Sequence, residues 1–121
     1  MNYPKIIQGG MGVAISTWKL ANTVSRAGQL GVVSGTGIGI ILVARLMEGD
    51  ADGDVRRALS HFPDQDVAQE ILNKFYQPDG MKPNQSYFRP PMWTTKPPKW
   101  LNQLTVVGNF VEVWLAKEGH D

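Results

Sequence analysis

Three glycines within four positions, Gly9, Gly10 and Gly12, follow a short apolar run near the N-terminus of this 121-residue chain. Glycine lets a backbone lie close to a ligand, and the N–H groups of such a loop can meet phosphate oxygens or the acceptor atoms of a cofactor ring. A tight turn uses glycine for its own reasons. Two interpretations therefore stay open for residues 9–13, a plain turn and a ligand contact.

A second glycine cluster, GTGIG at residues 35–39, follows the apolar run at 30–34. Gly35 and Gly37 supply the G-x-G with which a dinucleotide-binding loop opens. The third glycine of that motif would fall at position 40, which is Ile40, and no acidic residue follows at a strand end about 20 residues on. Close backbone packing is therefore the favoured role of this cluster.

The titratable residues do not predict a metal site. His61 and His120 have no second ligand three or four positions away. Asp50, Asp52 and Asp54 resemble the start of a calcium loop, but the residue at loop position twelve is His61 and not the required glutamate. We expect both histidines to be surface or capping residues. No serine lies in the G-x-S-x-G context of a nucleophile elbow.

Residues 78–100 form a proline-rich arm, which holds six of the eight prolines and so excludes a helix or an interior strand. Its aromatic and basic residues are interleaved: Tyr87, Phe88, Trp93 and Trp100 among Arg89, Lys96 and Lys99. Such a pattern can bind single-stranded nucleic acid. Because the net charge is near zero, anchoring of the arm to the protein body or to a partner subunit is favoured, and a cover over the active site is a further option.

Composition narrows the function classes. Twelve basic and eleven acidic residues leave a formal charge of +1, which gives no electrostatic reason to expect a nucleic-acid or membrane partner. The absence of cysteine excludes disulfides, zinc–thiolate sites and cysteine nucleophiles, and it suits a reducing cytosol. The longest apolar run, at 38–44, is too short for a membrane helix, and the pattern of the N-terminal residues leads us to expect no signal peptide. We expect a soluble, cytoplasmic protein.

The elements that position these residues alternate between strand and helix patterns. The predicted order is strand 5–8, helix 18–27, strand 30–34, helix 38–48, two helices within 50–77, the arm at 78–100, strand 104–108 and helix 109–119. Ser16 or Thr17 is expected to cap the first helix and Gly28 to end it. Asp52 or Asp54 is expected to cap the third helix, and Asp64 the fourth.

This order predicts an α/β fold with parallel strands. Residues 1–49 provide two βα units and residues 101–121 a third, as in the N-terminal part of a (β/α)8 TIM-type barrel with a proline-rich insertion. Such a barrel needs eight units and about 250 residues. The chain is therefore expected to be a truncated, partial barrel domain. The open strand edges predict self-association.

The segments PKIIQGGM (4–11), ANTVSRAG (21–28) and QLGVV (29–33) resemble, in order and spacing, the opening of the nitronate monooxygenase (2-nitropropane dioxygenase-like) family. The members of that family are FMN-dependent β/α-barrel enzymes. The rest of the chain is similar to the branch associated with polyunsaturated fatty-acid and polyketide synthesis, some members of which are flavin-dependent enoyl reductases.

The resemblance implies FMN as the cofactor, with backbone contacts to its isoalloxazine ring from Gly10, Met11, Gly12 and Val13. It implies a small-molecule substrate, either a nitronate-like carbanion oxidised with O2 as acceptor or an enoyl thioester reduced by NAD(P)H. The family often has Ala-Pro-Met-Ala where this chain has Gly-Gly-Met-Gly. His120 does not match the family's catalytic histidine, so no catalytic residue is assigned. A non-catalytic fragment that acts by association through the arm is a third alternative.

Overall fold

The computed structural model describes residues 3–91 and 94–120. The regular structure of that part is helical. In chain order the helices are α1 Trp18–Arg26, α2 Ile38–Met47, α3 Asp54–Leu59, α4 Gln65–Phe75 and α5 Lys99–Lys117. Over the described residues, no helix is both long enough and apolar enough to cross a membrane.

The predicted α/β fold, and with it the TIM-type barrel fragment, is wrong: the described residues form five helices and no sheet. The largest error lies at the predicted strand 104–108, which falls inside α5. Its β-branched residues favour a strand locally, but helical spacing of buried residues extends far beyond it. The buried residues three or four positions apart along α5 are Leu101, Leu104, Val107, Val111 and Leu115.

The two N-terminal segments predicted as strands lie side by side but share a single parallel bridge, between Ile7 and Leu30. The N–H of Gln8 donates to the Leu30 carbonyl at 3.0 Å, and the N–H of Leu30 donates to the Ile6 carbonyl at 3.1 Å. Beyond the bridge, the Gln8 side chain replaces the backbone: it accepts from the Val32 N–H at 3.1 Å and donates to the Val32 carbonyl at 2.8 Å. A side chain therefore ends the ladder before a sheet forms.

The chain forms two compact units, of which the first comprises Met1–Thr36 and Glu112–Asp121. Within it, the side-chain amide of Asn22 on α1 donates to the carbonyls of Ala116 and Glu118, both at 2.9 Å. The last carbonyls of a helix have no partner inside the helix, so these bonds satisfy groups that the end of α5 leaves open. They also hold α1 against that helix end.

The second unit, Gly37–Val111, contains α2, α3, α4 and most of α5. Glycine permits close packing of α2 and α5 here, because a Cβ on Gly108 would lie 3.1 Å from the Ile38 carbonyl oxygen. Likewise, a Cβ on Gly39 would lie 3.4 Å from Leu104 Cβ. The residues buried in this core include Ile38, Leu42, Val43, Leu46, Val55, Ala58, Leu59, Leu104 and Val107.

The structure confirms two local predictions, the cap of α4 and the end of α1. Asp64 caps α4, where its carboxylate accepts the Val67 N–H at 3.2 Å. Gly28 ends α1 with φ +80°, and its N–H donates to the Ser25 carbonyl at 3.0 Å. Both arrangements depend on residues within one turn of the helix end, which is why the sequence pattern predicts them.

The predicted cap of α3 is wrong. Gly53 occupies the N-cap position, and neither Asp52 nor Asp54 serves as the cap. The buried carboxylate of Asp50 instead accepts the N–H of Val55 at 3.1 Å and that of Arg56 at 3.0 Å. Asp50 reaches these groups because its backbone turns through φ +43°, a left-handed conformation that the sequence pattern does not reveal.

Candidate functional site

The side chain of a buried serine, Ser16, forms hydrogen bonds with the backbone of the glycine loop at residues 9–13. Ser16 is 2% exposed. Its hydroxyl accepts the Met11 N–H at 2.7 Å and donates to the Gly9 carbonyl at 3.3 Å. The Ser16 carbonyl accepts the Ser34 N–H at 2.9 Å, which ties the base of the loop to the segment that follows Leu30. The loop therefore has a defined shape set by one buried side chain.

The fold requires glycine at only one of the three positions in the loop. Gly12 has φ +94°, which L-residues rarely adopt. A Cβ on Gly9 or Gly10 would meet no atom within 4 Å, so the described part of the chain leaves open space beside both. Space above a glycine backbone is the condition for close approach of a ligand.

The loop presents hydrogen-bond donors together with apolar side chains. No hydrogen bond within the described residues engages the N–H groups of Gly10, Gly12 or Val13. The side chains of Met11 and Val13 are 51% and 44% exposed. Three N–H donors beside two apolar side chains can contact a flat heterocyclic ring that carries acceptor atoms on its edge. All four residues named by the family resemblance therefore belong to one exposed surface loop.

The second glycine cluster contributes to packing. Gly37 is the N-cap of α2 at φ +63°, and Gly39 lies inside α2 against Leu104. This agrees with the packing role favoured from the broken G-x-G-x-x-G pattern. In the loop before α2, the Ser34 hydroxyl accepts the Thr36 N–H at 3.3 Å.

The histidines and carboxylates do not assemble into a metal centre within the described residues. His120 Nε2 lies 2.7 Å from the Ala116 carbonyl oxygen near the end of α5, which is a capping position. The Asp50 carboxylate accepts hydrogen bonds from the backbone at the start of α3 and from the Arg56 side chain, whose Nε donates to Oδ2 at 3.1 Å. Asp54 pairs with Arg57 at 2.9 Å.

The proline-rich arm lies within the second unit, and its last two residues, Lys99 and Trp100, already belong to α5, so the predicted exclusion of a helix is wrong for them. The Tyr87 hydroxyl donates to Glu48 Oε1 at 2.5 Å. The Phe88 ring lies 5.5 Å from that of Phe75 and 6.4 Å from that of Trp100. These contacts match the anchoring of the arm to the protein body that the composition favoured. Trp93, part of the aromatic and basic pattern, lies outside the described residues.

The Glu48 contact also changes the acidity of the phenol. The hydrogen bond to Glu48 raises the pKa of Tyr87 above its ordinary value of 10.0. Partial burial and the negative charge of Glu48 act in the same direction. Each cause favours the neutral phenol, so the arm carries a tyrosine that stays protonated to higher pH than a free one.

An open groove of about 310 Å³ lies within the first unit, between α1 and the end of α5. The residues that line it are Ala21, Ser25, Gly31, Val32, Val33, Val113, Ala116, Lys117 and His120. None of residues 9–13 lines this groove. The glycine loop is therefore a surface site, distinct from this open groove of the same unit.

Sequence reasoning missed two of the residues that shape the loop. Of the two residues expected to cap α1, Thr17 occupies the N-cap position but its side chain makes no capping bond, while the Ser16 side chain bonds the loop. Gln8 was read as a strand residue, while its side chain bonds Val32. A serine a few positions after a glycine run is a usable signal for the first, because its hydroxyl can bond nearby backbone groups.

No protein-family model, no curated protein and no solved structure matches this chain.

Proposed function

We propose that this chain takes part in FMN-dependent oxidoreductase chemistry of the nitronate monooxygenase type, on its own helical fold and not on the β/α barrel of that family, and that the loop at residues 9–13 contacts the isoalloxazine ring. The observation that carries the proposal is the combination of unengaged N–H groups at Gly10, Gly12 and Val13 with an exposed Met11 side chain. The same four residues are those that the family resemblance assigns to the flavin, and of their four N–H groups the fold engages that of Met11 alone among the described residues.

The loop fits the ring in its chemistry. An isoalloxazine ring has a polar edge of carbonyl oxygens and ring nitrogens and two apolar faces. The backbone donors of the loop suit that edge, and the side chains of Met11 and Val13 suit a face. When bound, FMN would supply the redox chemistry for oxidation of a nitronate-like carbanion with O2 as acceptor, and Gly10, Met11, Gly12 and Val13 would hold its ring. The residues of this chain orient the ring and cover part of it from water.

The proposal is tested by titrating the protein with FMN and following flavin fluorescence. We expect saturable quenching and a visible absorption band that stays with the protein through gel filtration. Fluorescence that does not change, with all of the colour eluting as free FMN, would contradict the proposal. Anaerobic bleaching of the bound flavin by a nitronate identifies the monooxygenase, whereas bleaching by NAD(P)H alone identifies an enoyl-thioester reductase.

A second candidate is association between copies of this chain, favoured by an exposed backbone edge. The Ile7 side chain is exposed, and no hydrogen bond of the described residues engages its N–H or C=O. Ile6 and Leu30 beside it are exposed as well. An unpaired edge with apolar side chains is a template for pairing with the same segment of a second copy.

A cytoplasmic location remains part of the proposal. The support for it is the composition, since a chain with no cysteine suits a reducing compartment. FMN, and a nitronate or thioester substrate, would meet the protein there.

A further inference from the structure

The buried hydroxyl of Ser16 makes two bonds to one short loop. It accepts the Met11 N–H at 2.7 Å and donates to the Gly9 carbonyl at 3.3 Å, so a single oxygen spans the backbone on both sides of Gly10. The Ser16 backbone is itself fixed by the Ser34 N–H. The Ser16 tether is thus bonded to the chain on the far side of α1 as well as to the loop.

We propose that Ser16 is the positioning residue of the flavin site, an inference that rests on the proposed function. By engaging the Met11 N–H, the hydroxyl leaves the donors of Gly10, Gly12 and Val13 for the ligand. It also restrains a loop that contains three glycines, the residue type that loses the most backbone freedom on ordering. A restrained loop binds more tightly because less freedom is lost when the ligand arrives.

One non-glycine residue directly after the loop, Ala14, has a strained backbone conformation. Ala14 has φ +61°, a left-handed conformation that costs a non-glycine residue free energy. Ala14 lies between Met11 and Ser16, the two ends of the 2.7 Å bond. The closed loop therefore holds Ala14 in a conformation that an open loop would relax.

We expect the effect on the loop to come from the hydroxyl of Ser16 and not from the volume of its side chain. Variants that remove or keep the hydroxyl therefore test it. Ser16→Ala removes both bonds with little change in volume, and Ser16→Thr keeps the hydroxyl. Ser25→Ala is the matched control, since Ser25 lies on α1 in the same unit and none of its side-chain atoms bonds the loop. Should Ser16→Ala not fold, Ser16→Cys takes its place, because a thiol is a weak hydrogen-bonding group of similar size.

Two measurements are made on each variant: amide hydrogen exchange of Met11 without FMN, and FMN affinity by fluorescence titration. We expect Ser16→Ala to speed Met11 exchange and to weaken FMN binding, each by about tenfold, the usual effect of losing one or two hydrogen bonds. Ser16→Thr restores both values and Ser25→Ala changes neither. A purely structural role would lower the thermal midpoint of Ser16→Ala while leaving FMN affinity unchanged.

The outcomes separate the inference from the proposed function. If the wild-type protein binds FMN and Ser16→Ala binds it equally well, the positioning role is overturned and the proposed function stands. If the wild-type protein does not bind FMN, the proposed function fails, and the role of Ser16 toward FMN fails with it. Unchanged Met11 exchange in Ser16→Ala would overturn the tether itself, whatever the affinity.

Discussion

The carboxylate of Glu112 accepts the backbone N–H of Trp18 at 2.8 Å, so a residue on α5 caps the start of α1. Glu112 is 3% exposed. The N-cap residue Thr17 makes no side-chain bond of this kind. A carboxylate at this end of a helix also interacts favourably with the helix dipole. The first unit thus depends on a contact between residues 94 positions apart.

Glu112→Ala is expected to destabilise the protein by about 1–3 kcal/mol, because it removes a helix cap and leaves a donor without its partner. Glu112→Gln keeps an acceptor oxygen and is expected to cost less. Urea denaturation measures both. Thr17→Ala is the control and should change stability by less than about 0.5 kcal/mol. Equal losses for Glu112→Ala and Thr17→Ala would show that Glu112 is not the cap.

The helical assignment of residues 104–108 is tested by two substitutions two positions apart. Leu104 is buried and Val106 is 59% exposed. Leu104→Ala should therefore cost about 2–5 kcal/mol. Val106→Ala should be neutral or slightly stabilising, because alanine has the higher helix propensity. Urea denaturation again gives the values. Strand geometry would place residues 104 and 106 on the same face, so comparable losses at both would contradict the helix.

How far the sequence predicts this molecule depends on the range of each contact. The Asp64 cap and the Gly28 helix end are local, and the pattern predicts both. The Glu112–Trp18 contact is distant in the sequence, and nothing near α1 reveals it. The apolar run at 104–108 is ambiguous when read alone. Only the continuation of its spacing from Leu101 to Leu115 distinguishes a helix from a strand.

The ligand role of Gly10, Met11, Gly12 and Val13 stays a prediction. The loop and its exposed donors lie at the positions that the glycine pattern singled out. The sheet that was expected beneath the loop does not form, because the Gln8 side chain bonds the Val32 backbone where backbone pairing between the two strands would continue. Side-chain replacement of backbone pairing has no signature in hydrophobic patterning, so the sequence could not have predicted it.

The contact between Tyr87 and Glu48 predicts a dependence on alkaline pH. The pKa of Tyr87 is higher in the folded protein than its ordinary value of 10.0. The stabilisation from its bond to Glu48 is therefore fully present below pH 10.0, and it is lost as the pH rises through the pKa of Tyr87 in the folded protein. The ultraviolet absorbance of the phenolate is titrated against pH in the wild-type protein and in Tyr87→Phe. The difference between the two curves is the titration of Tyr87 alone. Its midpoint should lie above 10.0 and should fall in Glu48→Gln. An unchanged midpoint in Glu48→Gln would rule out the contact as the cause.

Association between copies is tested at Ile7. Ile7→Lys places a charge on the exposed edge and should lower the apparent mass at high concentration in sedimentation velocity. Ile15→Lys is the control, since Ile15 is exposed to a similar extent, 59% against 62% for Ile7, but its N–H is engaged by the Gly12 carbonyl. It should behave as the wild type. A wild-type protein that sediments as a monomer at every concentration would refute association through this edge.

The most direct test of the flavin assignment is FMN affinity in the wild-type protein and in Gly10→Val. The open space beside Gly10 predicts that the variant folds normally, with an unchanged thermal midpoint. Its side chain would fill the space that the ring needs, so affinity should fall by about tenfold or more, a loss of at least about 1.4 kcal/mol. Ala27→Val, at an exposed site beyond α1, is the control and should bind as the wild type does. Equal FMN affinity in all three proteins, or no FMN binding by the wild type, would contradict a flavin site at this loop.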